Sequence, residues 1–353
     1  MNKLFVGTAA AALMIAPAAA NPMAVTVGGY FNTALILQDL DAAQSASDMN
    51  QEQDAEIHFK GKSKLDNGLT VGFQVQLEGE ENSDQIDEHY IYVSGDFGRV
   101  TIGAENSAAD MLLVGMDKYL GYKQASDTLL NDLKVTGYKK TNHTAVTGDA
   151  NKFTYVSPRI SGLQAGISFT PSTKNLKGDA RGLESSGAGI GDDAISLGLR
   201  YKTSLGGTKI ALSYGSEKAE EGGAGSQGDG TFKDSSIGLQ ARAGKVQLSY
   251  ISLTREADAW NEGDDVENYE KDQTNLSLSY KLSKNASIGF DMQDDEVTSG
   301  DGAGDTYEHI RFGGSYKIAK GVQLTLSHLS GEKKSGGASQ DSTVTTAGLL
   351  LKF

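Results

Sequence analysis

The sequence contains no cysteine and only 4 prolines among its 353 residues. The absence of cysteine excludes a disulfide-bonded scaffold and any metal site built from thiolates. Beyond the N-terminal segment, no stretch approaches about 18 consecutive apolar residues, the length that a membrane-spanning helix needs. Only 38% of the residues are hydrophobic. The chain therefore crosses no membrane as a helix.

The formal charge at pH 7 is −14. A strongly acidic chain repels nucleic acid and attracts cations, so we expect no nucleic-acid partner. No stretch has the composition of a linker, and all-β barrels often run long as one domain. The sequence therefore predicts a single domain that follows its N-terminal segment.

Residues 1–20 have the three parts of a secretory signal peptide. Lys3 supplies the positive charge, residues 4–15 form a short apolar region, and Ala18, Ala19 and Ala20 provide a small-residue cleavage site. The mature chain is expected to cover residues 21–353. An exported chain of this composition is either a soluble protein or a barrel, because the lipid-facing side of a barrel needs only every second residue to be apolar.

The rest of the chain alternates apolar and polar residues with a period of two, as β-strands do. Between residues 24 and 37, Val25, Val27 and Phe31 fall on one face, while Tyr30 and Asn32 fall on the other. Turn residues such as those at 66–68 separate about sixteen strands of this kind, with short turns at one end and long loops at the other. The fold predicted is all-β, a transmembrane antiparallel β-barrel of about 16 strands.

Such a barrel must close on itself. Unpaired backbone N–H and C=O groups in lipid cost several kcal/mol each, so the last strand is expected to pair with the first. Basic residues within the strands fall on the polar face, where they avoid a cost of about 2–4 kcal/mol at the bilayer midplane. Tyrosines near strand ends fit an aromatic girdle at the membrane interface: Tyr201, Tyr214, Tyr250, Tyr280 and Tyr316.

The alternation stops between residues 107 and 150. Met111, Leu112 and Leu113, and later Leu129 and Leu130, give this segment apolar clusters at helix-like spacing. An insertion of this length inside a regular β chain is usually functional or disordered, and its apolar residues argue against disorder. The segment is predicted to fold into the lumen of the barrel as a constriction loop.

The C-terminus carries the pattern that marks bacterial outer-membrane barrels for assembly. Its residues are Thr346, Gly348, Leu351 and the terminal Phe353. With the signal peptide, the strand count and the long loop after the fifth strand, the chain resembles the general diffusion porins of Gram-negative bacteria, of the alphaproteobacterial type. The resemblance implies an outer-membrane homotrimer, surrounded by lipid and lipopolysaccharide and inserted by the barrel-assembly machinery through its C-terminal strand. It also implies passive diffusion of small polar solutes and ions.

In that family, acidic groups on the constriction loop face basic groups on the barrel wall. The acidic candidates here are Glu105, Asp110, Asp117, Asp127 and Asp132. The basic candidates are His58, Lys60, Lys62 and Arg311. The Pro-Glu-Phe-Gly-Gly-Asp motif of enteric members is absent, and Glu88 and Tyr90 stand where enteric porins carry a wall arginine. With acid in excess, we expect a weak preference for cations.

No cofactor is required by this prediction, and no catalytic residues are predicted. The external loops are acidic, with Asp39, Asp41, Asp48 and Glu52 in one and Glu262, Asp264, Asp265 and Glu267 in another. These carboxylates could bind Ca²⁺ or Mg²⁺, or they could simply be solvated. The five histidines show no metal-ligand spacing.

Two other classes of function fit the same patterns. A solute-specific channel would need a row of aromatic residues in the lumen, for which the loop offers Tyr119, Tyr122 and Tyr138. A non-channel role, as an outer-membrane barrel enzyme or an exported soluble β protein, would need a catalytic or binding constellation. Spacing alone reveals none, so the sequence favours a channel that is not an enzyme.

Overall fold

In the computed structural model the chain forms one closed antiparallel barrel of sixteen strands. The structure describes residues 23–40, 48–79, 85–115, 147–172, 192–220, 231–261, 266–300 and 302–353. The strands are β1 (Ala24–Leu40), β2 (Met49–Lys64), β3 (Thr70–Glu78), β4 (Ile86–Gly95), β5 (Gly98–Ala104), β6 (Asn151–Val156), β7 (Leu163–Ser172), β8 (Asp192–Leu205), β9 (Thr208–Glu220), β10 (Thr231–Ala243), β11 (Val246–Asn261), β12 (Val266–Lys281), β13 (Ala286–Ser299), β14 (Thr306–Ala319), β15 (Val322–Ser335) and β16 (Ala338–Lys352). The predicted fold and strand number are confirmed.

The barrel closes where β16 pairs with β1. The pairing places Leu351 opposite Phe31, and beyond it Phe353 and Gly29 exchange backbone hydrogen bonds of 3.1 and 3.2 Å. The terminal residue thus completes the ladder, and none of the sixteen described strands is left with a free edge. This is the closure that a sheet in lipid requires.

Successive residues of each strand point alternately out of the barrel and into it. On β1, the outward-pointing Val27 and Leu35 are 59% and 44% exposed. The inward-pointing Ala34 and Ile36 of the same strand are at most 2% exposed. The outward row is apolar and the inward row of most strands is rich in Ser, Thr, Gln and charged residues. Within the part of the chain that the structure describes, no helix is long and apolar enough to cross a membrane.

Several segments that the sequence predicted as long loops are largely strand. Six of the residues in 294–304 belong to the end of β13, and most of 255–268 belongs to the end of β11 and the start of β12. Residues 331–340 are a hairpin, in which only Gly336 and Gly337 separate β15 from β16. These two glycines have φ values of 56° and 82°, the left-handed conformation of a tight hairpin turn. The strands were missed because both of their faces become polar there, which removes the alternation.

The aromatic girdle lies at the end of the barrel that carries the short turns. Tyr201, Tyr250, Tyr280 and Tyr316 point outward and are 37–52% exposed. Each lies within a few residues of a short turn, as an interface position requires. Tyr214 also points outward but lies deeper along β9, nearer the middle of the barrel.

After β5 the chain turns into the barrel. Ser107 caps a short helix, α1 (Ala108–Leu112), and its side chain accepts a hydrogen bond from the backbone N–H of Asp110. Ala108, Ala109 and Leu112 of this helix are buried. They pack on the inner faces of β7, β8 and β9. The first part of the predicted constriction loop therefore lies in the lumen.

This segment packs against serines and glycines of the inner wall. The backbone N–H groups of Ala108, Ala109 and Val114 donate to the hydroxyls of Ser168, Ser196 and Ser213 at 2.8, 3.0 and 3.0 Å. A Cβ atom on Gly198 would lie 2.2 Å from the carbonyl oxygen of Ala108, and one on Gly238 would lie 2.1 Å from that of Val114. We call these five wall residues, Ser168, Ser196, Gly198, Ser213 and Gly238, the docking stripe. It lets two backbones approach more closely than any larger side chain would allow.

The returning end of the loop is also fixed inside the barrel. Thr147 donates its hydroxyl to the buried carboxylate of Glu217 on β9 at 2.7 Å. The buried ammonium group of Lys152 donates to the carbonyls of Gly148 and Ala150 at 2.7 and 2.8 Å, and also to that of Glu105. Lys152 thus joins the entry and exit of the loop. Residues 116–146, between these two ends, lie outside the described part of the chain.

The docking stripe predicts that Gly198→Val displaces α1 from the wall. The added Cβ would clash with the Ala108 carbonyl, and overpacking of this kind destabilises a protein by about 1–3 kcal/mol. We expect faster proteolytic cleavage between residues 104 and 151 in detergent and a lower melting temperature. The control is Ser204→Val, an exposed position six residues along the same strand. Equal cleavage rates for both variants would contradict the docking role of Gly198.

Candidate functional site

The lumen of the barrel is the candidate functional site. Among the acidic residues predicted to line it, Glu105 follows β5 and accepts a hydrogen bond from the backbone N–H of Asn106 at 3.1 Å. Asp110 lies in the first turn of α1 and is partly exposed. The predicted positions Asp117, Asp127 and Asp132 fall within residues 116–146, outside the described part of the chain. Two of the five acidic candidates can therefore be placed in the lumen.

His58, a predicted basic residue, belongs to a cluster dominated by acids. Its Nε2 lies 2.6 Å from a carboxylate oxygen of Glu56. The hydroxyl oxygen of Tyr30 lies 2.8 Å from a carboxylate oxygen of Asp54 and 2.5 Å from one of Glu56, so its single hydrogen is shared between the two acids. The register explains the contact, because Tyr30 and Glu56 are directly opposite each other on β1 and β2. We call Asp54, Glu56 and His58 the β2 acidic cluster.

The other predicted basic residues do not join His58 in one cluster. Lys60 and Lys62 point into the lumen closer to the short turns and are exposed. Arg311 lies on β14, with β15, β16 and β1 between it and β2. Its guanidinium Nε donates to Asp291 at 2.6 Å, so its charge is largely offset by a neighbouring carboxylate. The basic candidates thus occupy two separate parts of the wall.

A second group of acids lies where the long loop enters the barrel. The buried carboxylate of Glu88 on β4 accepts a hydrogen bond from the side chain of Asn106 at 3.0 Å and another from Gln76. Below it, the guanidinium of Arg99 stacks over the rings of Tyr90 and Tyr92, with its carbon 5.5 and 4.0 Å from their centroids. Arg99 therefore supplies a wall arginine close to Tyr90. Arg99 is not among the basic residues that the sequence predicts for the pore.

A ladder of ion pairs covers the inner wall from β10 to β14. Arg255 binds Asp234 through two hydrogen bonds of 2.8 and 2.7 Å. The ammonium of Lys271 lies 3.1 Å from Asp295. Asp291 accepts from Arg311 and lies 3.3 Å from His309. Gln273 and Gln293 donate to Asp295 at 3.1 Å each.

This ladder is almost closed to solvent, since Asp234, Asp291 and Asp295 are at most 2% exposed. Removing one partner of a buried ion pair leaves an uncompensated charge, which destabilises a protein strongly. Each acid on this wall has a basic partner, so the ladder contributes little net charge to the lumen. Of its members, only Arg311 is predicted from the sequence. The missed signal was that opposite charges recur at inward positions on neighbouring strands.

The two walls therefore differ electrostatically. The ladder on β10 to β14 is internally neutralised. In the β2 acidic cluster Glu56 pairs with His58, and where the long loop enters the barrel Glu88 accepts hydrogen bonds from the neutral amides of Gln76 and Asn106.

Comparison with known proteins agrees with this architecture. A family model described as Gram-negative porin matches residues 7–335. No match was found among curated proteins. Each of the following solved structures covers 94% of this chain, and the chain covers 100% of each. The anion-selective porin from Comamonas acidovorans has 16% identity and a TM-score of 0.64. OmpT of Vibrio cholerae, in its trimer form, has 12% identity and a TM-score of 0.65. A mutant of the porin of Rh. blastica has 16% identity and a TM-score of 0.58.

At these identities the structures support the fold, a closed barrel with the same architecture. The family model covers most of the sequence and carries the assignment further. The chain belongs to the Gram-negative porin family and forms a channel in the outer membrane.

Proposed function

We propose that this porin lets small hydrophilic solutes and ions diffuse passively, with a weak preference for cations and without a catalytic step. The observation that carries the proposal is a closed barrel with an apolar exterior, a polar lumen and a chain segment docked on its inner wall. The docked segment reduces the bore, so solutes are selected by size and charge. Planar-bilayer recording tests it: stepwise, ohmic conductance is expected, and an electrically silent bilayer would contradict it.

The cation preference is supported by the distribution of carboxylates in the outer half of the lumen. Glu56 pairs with the single histidine His58, and Glu88 accepts hydrogen bonds from the neutral amide groups of Gln76 and Asn106. The ladder, in contrast, is neutralised internally. The net field in this half is therefore negative, which raises the local concentration of cations.

A solute-specific channel would behave differently in the same recording. Its conductance would saturate as a sugar or another preferred solute was added, because the solute would occupy a binding site in the pore. Passive diffusion predicts no such saturation. Tyr119, Tyr122 and Tyr138, on which that alternative depends, lie outside the described part of the chain.

We also propose that three copies assemble into a homotrimer within outer-membrane lipid and lipopolysaccharide. The trimer form of OmpT from Vibrio cholerae, a barrel of the same fold, supports this. The outward rows of apolar residues on every part of the wall can contact either lipid or another barrel. Lipopolysaccharide would surround the loop end, where the outward residues become polar.

The C-terminal residues fit a role in assembly as well as in closure. Thr346 and Gly348 point into the barrel and are buried, and Leu351 points outward. The side chain of Phe353 is 70% exposed, although its backbone pairs with Gly29. A terminal aromatic ring that packs so little in the finished barrel is available to the barrel-assembly machinery.

Divalent cations are proposed at the loop end on the outer surface. Asp294, Glu308, Glu332 and Asp341 stand directly opposite one another across β13, β14, β15 and β16. Carboxylates in such cross-strand positions repel one another. Ca²⁺ or Mg²⁺, which prefer oxygen ligands, would relieve this repulsion or bridge the row to lipid phosphates. Lys334, 3.0 Å from Glu332, supplies part of the compensation.

Neutralising the β2 acidic cluster is expected to reduce the cation preference. In the double variant Asp54→Asn, Glu56→Gln, the cation-to-anion permeability ratio should fall by roughly twofold, because two negative charges are lost from the lumen. The measurement is made in dilute salt, where the longer Debye length leaves these charges less screened. Reversal potentials in a salt gradient measure the ratio. The matched control, Asp294→Asn with Glu308→Gln, removes the same charge from the outer surface. An unchanged ratio in the cluster variant would contradict the proposed role.

Replacing the terminal aromatic residue is expected to impair assembly without destabilising the barrel. Phe353→Ala should refold in detergent with a free energy of unfolding within about 0.5 kcal/mol of the native value. In cells, its amount in the outer membrane should fall several-fold. The control is Leu326→Ala, which removes an outward side chain that is 61% exposed on the neighbouring strand. Normal cellular yield of Phe353→Ala would refute the assembly role.

Removing divalent cations is expected to lower the melting temperature. A cation present at about ten times its dissociation constant stabilises the native state by about 1.4 kcal/mol. Scanning calorimetry with EDTA, and then with added Ca²⁺ or Mg²⁺, measures the shift. The variant Asp294→Asn with Glu308→Gln should have lost this response. A response equal to that of the native protein would place the cation elsewhere.

A further inference from the structure

The end of the lumen that carries the short turns is basic. Two groups of cationic side chains point into the lumen there, one on β2 and one on β8 to β10. We call them together the turn-end collar: Lys60, Lys62, Lys64, Lys202, Lys209 and Arg242. In the strand order, β2 and β10 are separated by half of the barrel, so the two groups face each other across the mouth.

Further cations lie along the arc between these groups. Lys281, Lys317 and Lys352 point inward near the turn ends of β12, β14 and β16. Within the described residues, the five positions nearest the short turns carry no Asp or Glu in any of the sixteen strands. The collar is therefore not neutralised by strand carboxylates, unlike the ion-pair ladder above it.

The group on β8 to β10 lines a cavity of about 370 Å³. Lys202, Lys209 and Arg242 contribute its cations, and Ser204 and Gln240 contribute neutral polar groups. The guanidinium of Arg242 is oriented by the side-chain oxygen of Gln247, to which its Nε donates at 2.9 Å. No carboxylate lines the cavity among the described residues. An arginine held by a neutral partner keeps both its charge and its remaining donors for a ligand.

We propose that the turn-end collar is a binding site for multivalent oxyanions of the phosphate type, with the Lys202, Lys209 and Arg242 cavity as its main subsite. The inference rests on the proposed channel function. A fixed guanidinium suits two oxygens of a phosphate, and two flexible ammonium groups add charge without a demanding geometry. Short turns are periplasmic in barrels of the outer membrane, so the site would meet anions on that side.

The same channel then has opposite fields at its two ends. Cations gather in the outer half, near the β2 acidic cluster and Glu88, whereas multivalent anions gather at the collar. The binding is electrostatic and open to water, so it weakens as added salt shortens the Debye length from about 30 Å at 0.01 M to about 3 Å at 1 M. A multivalent anion held at the collar occupies the mouth and reduces the current.

Single-channel recording in dilute potassium chloride tests the site with inorganic tripolyphosphate as the probe. The probe is added first to one chamber and then, after washing, to the other, on the same channel. We expect the half-blocking concentration to differ several-fold between the chambers. In the triple variant Lys202→Gln, Lys209→Gln, Arg242→Gln, the lower value should rise about tenfold, because each lost cation weakens the attraction even in water.

The matched control removes three basic residues at the other end of the barrel: Lys233→Gln, Lys333→Gln, Lys334→Gln. It should keep the difference between the chambers. A silent bilayer would overturn the channel function itself. A conducting channel that is blocked equally from both sides, or a triple variant that remains as sensitive as the native protein, would overturn the collar alone. Persistent block at 1 M salt would also contradict an electrostatic site. Heat-modified migration on detergent gels verifies that each variant is folded.

Discussion

Backbone hydrogen bonding in a medium without water is the constraint on which this structure depends. Each strand satisfies its peptide groups only through its neighbours, so the sixteen strands must form a complete ring. The pairing of β16 with β1, ending in the hydrogen bonds between Phe353 and Gly29, completes that ring. Closure gives the sheet one face toward lipid and one toward water, and successive residues of each strand lie alternately on these two faces. An apolar exterior and a polar lumen follow from it.

A closed polar lumen creates a second requirement, because an open bore of this size would be unselective. The chain meets it by returning inside its own barrel after β5. The docking stripe and Lys152 hold the two ends of that segment by hydrogen bonds to backbone atoms. The charges of the lumen are arranged around it, with carboxylates toward the loop end, a neutralised ladder on one wall and cations at the turn end. Size selection and charge selection thus occupy different positions along one path.

Much of the architecture was predictable from the sequence. Period-two alternation, tight turns and the terminal aromatic residue specify the barrel, its closure and the side of the sheet that faces lipid. The end of β15 and the start of β16 were missed because their outward residues are polar. The docking stripe was also missed, because Ser196 and Gly198 read in sequence only as weak strand residues. Their role in docking becomes visible only in three dimensions, where the loop backbone lies against these two residues.

The candidate site was less predictable for the same physical reason. Arg255 and Asp234 lie 21 positions apart in the chain and become partners only through the register of β10 and β11. Sequence alternation shows that both point inward, but not at which depth. Alternation in the sequence places Lys60 and Lys62 on the inner face, but their position near the short turns depends on where β2 ends. Register, which spacing along one strand does not reveal, determines which charges meet.

The docking stripe has a consequence for how this pore could change over evolutionary time. Its serine hydroxyls hold the loop by peptide N–H groups, which every residue type except proline carries. The side chains of Met111 and Leu113 are only partly buried and take no part in these hydrogen bonds. Such side chains could change during evolution while the hydrogen bonds that dock the segment persist. Related channels could thus acquire new permeabilities on an unaltered barrel.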